Sequence, residues 1–548
     1  MTNPGRPDDA ASDRDALLEL LLADEGIEQT RSGISPRDAS QPAVLSYAPE
    51  RRWFLDQFET DTAALAVRVA VALHGPLDVA ALRRGLDEIF RRHDVLRTVV
   101  VATSGEARPV VLALDSMPVR ELDVDGDDEA LAAVLAEEAA RTFDLEREPP
   151  IVVALVRVAD EHHVLSVVMH HIASDGSSFG VFFQALAVLY EAFRQGRPSP
   201  LPELAVQYED YAAWQRHTAS EIFERQLDHW RRQLASPLPS FEIPPDFSGS
   251  TISAQLSPGL TARVAELCRS TGATTFMVLL AAFEVVVSRH AGDGDVAIGT
   301  PIAGRVRSEL EPMIGVFLNT LVLRDDLTDD PTFRDLLARV RDTSLGAFGN
   351  QDVPFELVLA DLQPPRDLSR TPLFQIFFNM THHDSDRAVF MLPGLRLEIL
   401  EQPDPGSKFD LTMYVNEASS TTDVRLVYNR ALFEHAHMER LVDQYLHLLE
   451  QVVADPDRRI GELVLRTEGE RAAVPDASEA LDATWHGSVP DLVRGVATRA
   501  PHRLAVTDGS NEWTFGLLAT QMDALAGWLT ARRVGHGDVV AVYAHRSG

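Results

Sequence analysis

One cysteine, Cys268, and one lysine, Lys408, are all that the 548 residues hold of either type. A single thiol excludes an internal disulfide and any cysteine-based metal cluster, and it suits a reducing compartment, the cytoplasm. A single lysine confines Schiff-base or phosphate-gripping lysine chemistry to one position, and in its setting, SKFDLTM, Lys408 reads as structural. Long apolar runs are missing too: the longest, Phe276 to Phe283, stops at Glu284, far short of a membrane span. The opening MTNPGRPDDA lacks the basic-then-apolar order of a secretion signal. Positive charge is scarce, with 50 basic against 83 acidic side chains and a net charge of −33. That balance argues against nucleic acid as a partner, because phosphate binding needs a basic footprint. What the chain does have is a 45% hydrophobic share, enough for well-cored domains.

The pattern along the chain is an alternating α/β layout. Residues 1–40 hold a short amphipathic helix (Ser12 to Gly26, capped by Ser12 with Asp15) and a polar linker. That helix either packs on its own domain or docks another chain. Asp78 caps a helix with Leu82, Leu86 and Ile89 on its apolar face, and Asp94 to Val100 reads as a strand. A second helix starts at Asp127 or Asp128, its acidic residues forming a solvated face. Proline clusters at Pro198–Pro202 and Pro237–Pro245 mark connections, the second a hinge between two lobes, 41–235 and 236–465. After it, helices (Thr261 to Ser270, Thr275 to His290) alternate with strands (Val296 to Gly299, Asn319 to Arg324). His382 and His383 fall in a polar loop. Residues 466–484 form another linker. From 485 to 548 a new pattern begins: a helix (Val489 to Ala497), a strand (Leu504 to Thr507), a helix near Leu517 to Ala531, and a strand from Val539 to Tyr543.

One stretch stands out, LSVVMHHIASDGSSFG at Leu165 to Gly180. A run rich in β-branched residues reads as a buried strand ending in His170 and His171. Adjacent strand side chains point to opposite faces, so one imidazole is structural and the other can open toward a ligand. Asp175 and Gly176 then turn the chain and cap the next helix. His162, His163, His170, His171 and Asp175 cluster in sequence, but the strand splays its histidines apart. His162 and His163 belong to a hairpin turn (ADEHH), and no third ligand has suitable spacing, so a metal site is not expected.

Seven segments occur in a telling order: LSYAPERRWFLDQ (Leu45–Gln57), RRHDVLRT (Arg91–Thr98), MHHIASDGSS (Met169–Ser178), YEDYAAW (Tyr208–Trp214), IGVFLNTLVLR (Ile314–Arg324), NQDVPFE (Asn350–Glu356) and RDLSRTPLF (Arg366–Phe374). Together they resemble the condensation domain of nonribosomal peptide synthetases, with its HHxxxDG core. Pro49 and Glu50 stand where two glutamines are common in that family, and Ser177 where a tryptophan often follows the glycine. Residues 485–548 resemble the start of an adenylation domain. No phosphate-binding loop and no lysine follow Lys408, so amino-acid activation by this chain is not expected.

The resemblance implies two chloramphenicol acetyltransferase-like α/β lobes forming a V-shaped pseudo-dimer, plus the partial adenylation domain. It implies donor and acceptor peptidyl carrier proteins as partners, along with the chain's own downstream adenylation domain. Substrates ride on the carriers' phosphopantetheine, and no cofactor is bound by the chain itself. His171 becomes the catalytic residue, as general base or as the group that positions the amine, and His170 the structural one. Asp175 either orients a histidine, as in a triad, or forms a buried ion pair; the resemblance favours the pair, with Arg97 the preferred partner over Arg305. Gly176 lets the backbone approach the thioester, Ser178 belongs to the same turn, and Asn319 gives polar support from the opposite lobe. The motif spellings fit the subclass that joins an L-donor to an L-acceptor. An epimerization domain shares HHxxxDG but normally follows a carrier protein. A non-catalytic recruitment platform usually has a degraded histidine motif, and here the motif is intact. A start at Met1 fits a donor arriving on a separate polypeptide, through the Ser12–Gly26 helix.

Overall fold

The computed structural model describes residues 33–57, 66–103, 106–218, 220–235, 249–364, 372–382, 392–400, 409–418, 421–467, 487–508, 511–535 and 537–540. The Ser12–Gly26 helix, the Pro237–Pro245 hinge, Arg366 to Arg370, His383 and Lys408 lie outside them. Two compact units divide the chain, Met1–Thr467 and Glu468–Gly548.

The first sheet of the larger unit orders its strands Arg396–Leu400, Ala66–His74, His162–His170, Ile151–Ala159 and Val119–Asp123. The histidine strand is therefore central, antiparallel to both neighbours, with His170 opposite Ala66 and Met169 opposite Ile151. Its run is apolar without alternation because both faces are covered. Helices Val79–Arg92 and Gly176–Arg194 lie together on one side, closely enough that a Cβ on Gly85 would come within 3.1 Å of Leu186. On the other side Leu131, Val134 and Leu135 of helix Asp128–Ala139 pack on Ala70, Ala72, Val156 and Val164. Asp78 caps its helix through the Ala81 N–H, and Asp127 caps the next through Glu129 and Ala130. That helix is not wholly solvated: Glu138 is buried beside Arg120.

The second sheet runs Gly249–Leu256, Thr422–Asn429, Leu411–Glu417, Ile376–His382, Asp295–Ile302 and Asn319–Asp326. It mixes parallel and antiparallel pairs. Helix Thr275–Ala291 is the core of this half, with every residue from Met277 to Val287 buried; helices Pro258–Thr271, Phe333–Gly349 and His435–Ala454 flank it. The one described helix long and apolar enough by itself to cross a membrane, Gly176–Arg194, packs against Val79–Arg92.

Four local expectations change. Asp94 to Arg97 is a 3₁₀ turn, held by the Thr98 hydroxyl on the Asp94 carbonyl (2.7 Å), and only Thr98–Thr103 is strand. The hairpin turn is Asp160–Glu161, so His162 and His163 already pair within the sheet, the two-residue loop being what strand twist favours. His382 ends a strand, opposite Glu417, rather than lying in a loop. Finally, Arg396–Leu400 leaves the second half of the chain to pair with Ala66–His74 at the first sheet's edge.

The smaller unit has helix Val489–Arg499, capped by Ser488, a hairpin (Leu504–Asp508 with Asn511–Thr514), and helix Phe515–Ala531, capped by Thr514. Val539 and Val540 are not in a strand, and residues from 541 onward lie outside the described set.

Candidate active site

The histidine strand ends where its two imidazoles part. His170 is 0% exposed and sits edge-on to Phe143. The Ile172 N–H donates to its Nδ1 at 3.1 Å, so the ring proton is on Nε2, 3.6 Å from an Asp56 carboxylate oxygen. His171 is the first residue past the strand and is half-buried. Its Nδ1 lies 3.2 Å from the Ser174 carbonyl oxygen. A carbonyl can only accept, so Nδ1 carries the proton and the ring's lone pair is on Nε2. A strand end followed by a tight turn (Ala173 N–H to His170 O, 3.0 Å) thus fixes both orientation and tautomer.

Asp175 caps helix Gly176–Arg194 and is 2% exposed. Its Oδ1 accepts from the Ser178 N–H (2.9 Å) and from Arg305 (3.0 Å), and its Oδ2 accepts from the Phe317 N–H (3.0 Å). The ion pair is therefore with Arg305, not Arg97, which reaches Asp94 at 2.6 Å and the Leu112 carbonyl at 3.2 Å. The 3₁₀ turn explains this, since it sets Arg97 three residues from a carboxylate of its own. Nor does Asp175 hold the Nδ1 of His171; the Ser174 carbonyl does that.

Arg305 completes its fork on the carbonyls of Leu310 (2.7 Å) and Met313 (2.6 Å), and its plane lies 4.4 Å from the Phe317 ring. Ser178 Oγ accepts from the Gly315 N–H at 3.2 Å and lies 2.8 Å from Asp175. These contacts tie the turn after His171 to residues 303–318, the connection between two strands of the second sheet. Three further groups hold that connection, and sequence reasoning missed them. The Tyr208 hydroxyl donates to the Val316 carbonyl (2.8 Å) and so accepts from Ser46 (2.7 Å). The Ile314 N–H donates to His93 Nδ1 (3.3 Å), and burial drives the His93 pKa down to about 3, keeping that acceptor neutral. Gly315 must lack a side chain, because a Cβ there would stand 2.3 Å from the Tyr208 ring. The signal was present, as Tyr208, His93 and Gly315 all fall in the ordered motifs, but nothing local says that they meet.

Asn319 does not reach the turn. Its amide donates to the carbonyls of Gln351 (2.9 Å) and Val353 (2.8 Å), and its oxygen accepts from the Phe355 N–H (3.0 Å), clamping the NQDVPFE segment. Around Gly176 an added Cβ would meet nothing within 4 Å, so packing does not demand glycine there. Two clefts border this region. One is apolar, with Leu45, Val95, Val100, Ile172 and Ala173 in its wall; the other is polar, with Ser46, Gln215, Asn319, Asp352 and Glu356. Among the described residues no three His, Cys, Asp or Glu side chains converge to hold a metal ion.

Residues 39–474 match the family description "Condensation domain". The chain is 36% identical over 555 residues to one of the linear gramicidin synthase proteins of Brevibacillus parabrevis, covering 97% of this chain and 11% of that one. It therefore spans about a tenth of that relative's length. Among solved structures, the X-domain from teicoplanin biosynthesis, in complex with OxyB, superposes with a TM-score of 0.72 at 31% identity, covering 80% of this chain and 99% of that one. A four-domain nonribosomal peptide synthetase bound to AMP and glycine superposes with a TM-score of 0.71 at 19% identity, over 92% of this chain and 40% of that one. The two mixed sheets are those of the chloramphenicol acetyltransferase-like condensation fold. On the family match and these relatives together, the chain belongs to the condensation domain family of nonribosomal peptide synthetases.

Proposed function

We propose that this chain joins a donor acyl or peptidyl thioester to the α-amine of an acceptor aminoacyl thioester, each delivered on the phosphopantetheine arm of a carrier protein. The amine nitrogen bonds to the thioester carbon, the C–S bond breaks, and the donor's sulfur leaves as a thiolate that takes up a proton. An α-amine has a pKa of about 8, so a minor fraction is already nucleophilic at neutral pH. Holding the two arms together supplies much of the acceleration. The remaining task is removal of the amine's proton, and His171 is assigned to it. The observation that carries this is the His171 tautomer: with Nδ1–H on the Ser174 carbonyl, the basic lone pair is on Nε2. Asp175 and Arg305 act behind it by fixing the turn. Residues 485–548 we read as the start of an adenylation domain, a reading supported by the superposition that extends over 92% of the chain. We place the protein in the cytoplasm, in keeping with its single cysteine.

The test is to load donor and acceptor carriers and look for a dipeptidyl thioester by mass spectrometry. His171→Ala should slow product formation by roughly 10²–10⁴-fold, the usual worth of a general base. A base also adds a step of its own to the acid limb that the amine imposes on the pH–rate profile, and the variant loses that step, whereas a positioning group adds none. One observation favours a second reading, recruitment without chemistry: the X-domain relative was solved with a bound partner protein, OxyB. Binding of carriers with no amide product would support it, and a change of stereochemistry alone would point to epimerization.

A further inference from the structure

Of the two clefts, only the apolar one has the turn after His171 in its wall. Ile172 and Ala173, the next two residues, line it together with Leu45, Val95, Val100 and Pro109, whereas none of residues 170–178 borders the polar cleft. The Ala173 N–H on the His170 carbonyl (3.0 Å) fixes that turn. The cleft's wall therefore begins one residue from His171, with neighbouring Cα atoms about 3.8 Å apart. The space between the walls is ≈ 430 Å³, its open mouth included. That is a cube about 7.5 Å on a side, narrower than a helix at about 10–12 Å, so it admits a side chain and not a helix.

Three polar side chains border the cleft, and each is engaged elsewhere. The Thr98 hydroxyl donates to the Asp94 carbonyl (2.7 Å), and the Tyr208 hydroxyl bridges Ser46 (2.7 Å) and Val316 (2.8 Å). The Glu209 carboxylate is held by Arg37 at 2.8 Å. A polar guest would give up its water for few partners here, while an apolar guest gains by leaving water.

We propose that this cleft takes an apolar side chain of one of the two tethered substrates, so that Leu45, Val95, Val100 and Ile172 select a leucine-like residue over a polar one. The inference rests on the reading that His171 marks where amine and thioester meet. In an aminoacyl group the side chain is borne by the carbon that joins the amine nitrogen to the thioester carbon. Its subsite must therefore adjoin the reacting atoms, as this cleft adjoins His171. Donor and acceptor share that chemistry, and the experiment separates them.

The experiment uses the full chain, wild type and with Val44→Phe or Val100→Ala. Val44 lines the cleft and is only partly buried, so a larger side chain there fills the space with little strain; Val100→Ala widens it. Binding is measured by calorimetry to stable pantetheine amides of leucine, its near-isostere asparagine, and phenylalanine. Each is made N-acetylated, as a donor mimic, and with a free amine, as an acceptor mimic. In one of the two series the wild type should prefer leucine over asparagine by about 10-fold or more, and that series identifies the substrate. Val44→Phe should erase the preference and leave asparagine within about twofold. Val100→Ala should improve phenylalanine over leucine by about 5-fold relative to wild type. No leucine preference in the wild type, or one that neither variant alters, overturns the inference. A Val44→Phe protein that melts higher yet keeps the preference also overturns it, since the cleft is then a packing gap. Binding needs no turnover, so failure to form amide would count against the catalytic reading alone.

Discussion

The two units differ in one respect that local structure hides. Both are well specified residue by residue: the smaller has capped helices at Ser488 and Thr514, a proline in the first turn of Val489–Arg499, and a hairpin between its helices. Yet no described residue of the smaller unit is buried, and Trp528 and Leu525 are 51% and 59% exposed. The larger unit hides Phe283, Phe378 and Tyr445 completely. Caps and turns choose the elements; only removal of apolar surface from water makes them a stable domain, since about 25 cal/mol per Å² has to outweigh the entropy of ordering the chain.

The sharpest way to break this contrast is to separate the units. Residues 33–467 should melt cooperatively at the temperature of the full chain, while 487–540 alone should show little helix by circular dichroism. A cooperative transition from the isolated piece would remove the distinction. Within the larger unit, Asp175→Asn should cost about 3–5 kcal/mol in urea unfolding, because it strands Arg305 in a buried site. It should slow turnover as well; lost activity at full stability would return Asp175 to a triad-like role. Trp528→Ala in the exposed unit should cost under about 0.5 kcal/mol.

A gentler test uses pH. Glu284 is fully buried in the core helix with neither carboxylate oxygen hydrogen-bonded, and burial beside Asp325 holds its pKa well above the usual range. Burial also lifts Asp325 to about 6. Both bind protons more tightly folded than unfolded, so the stability they carry is complete in acid and is lost as pH rises through about 6 and beyond. Glu284→Gln should therefore raise the melting temperature by a few degrees at pH 8 and change it little at pH 4. His93 works in the other direction. Its pKa of about 3 means that the unfolded chain takes up a proton first, so its contribution is lost as pH falls below about 6.5. Neither response should appear in the smaller unit, which buries no titratable group among its described residues.

What the sequence made legible follows the range of the interactions. Strand alternation separates His170 from His171, and the Asp175 cap is plain because its partners are within three residues. Choosing Arg97 over Arg305 goes wrong because the true pair spans 130 residues, and no pattern in the chain encodes which distant arginine returns. The same holds for Tyr208 and Gly315, each in a readable motif, whose contact exists only once two halves are folded together. Arg396–Leu400 is harder still. With none of its side chains buried, it looks like a surface segment, and only its ladder with Ala66–His74 shows where it belongs.

That borrowed strand has a mechanical consequence. The ladder of Arg396–Leu400 on Ala70–His74 is one of several ties between the halves of the larger unit, beside the Asp175–Arg305 ion pair, the Tyr208–Val316 hydrogen bond and the Gln226–Asp352 and Arg231–Asp361 contacts of helix Ser220–Gln233. A straight parting would have to tear a row of main-chain hydrogen bonds.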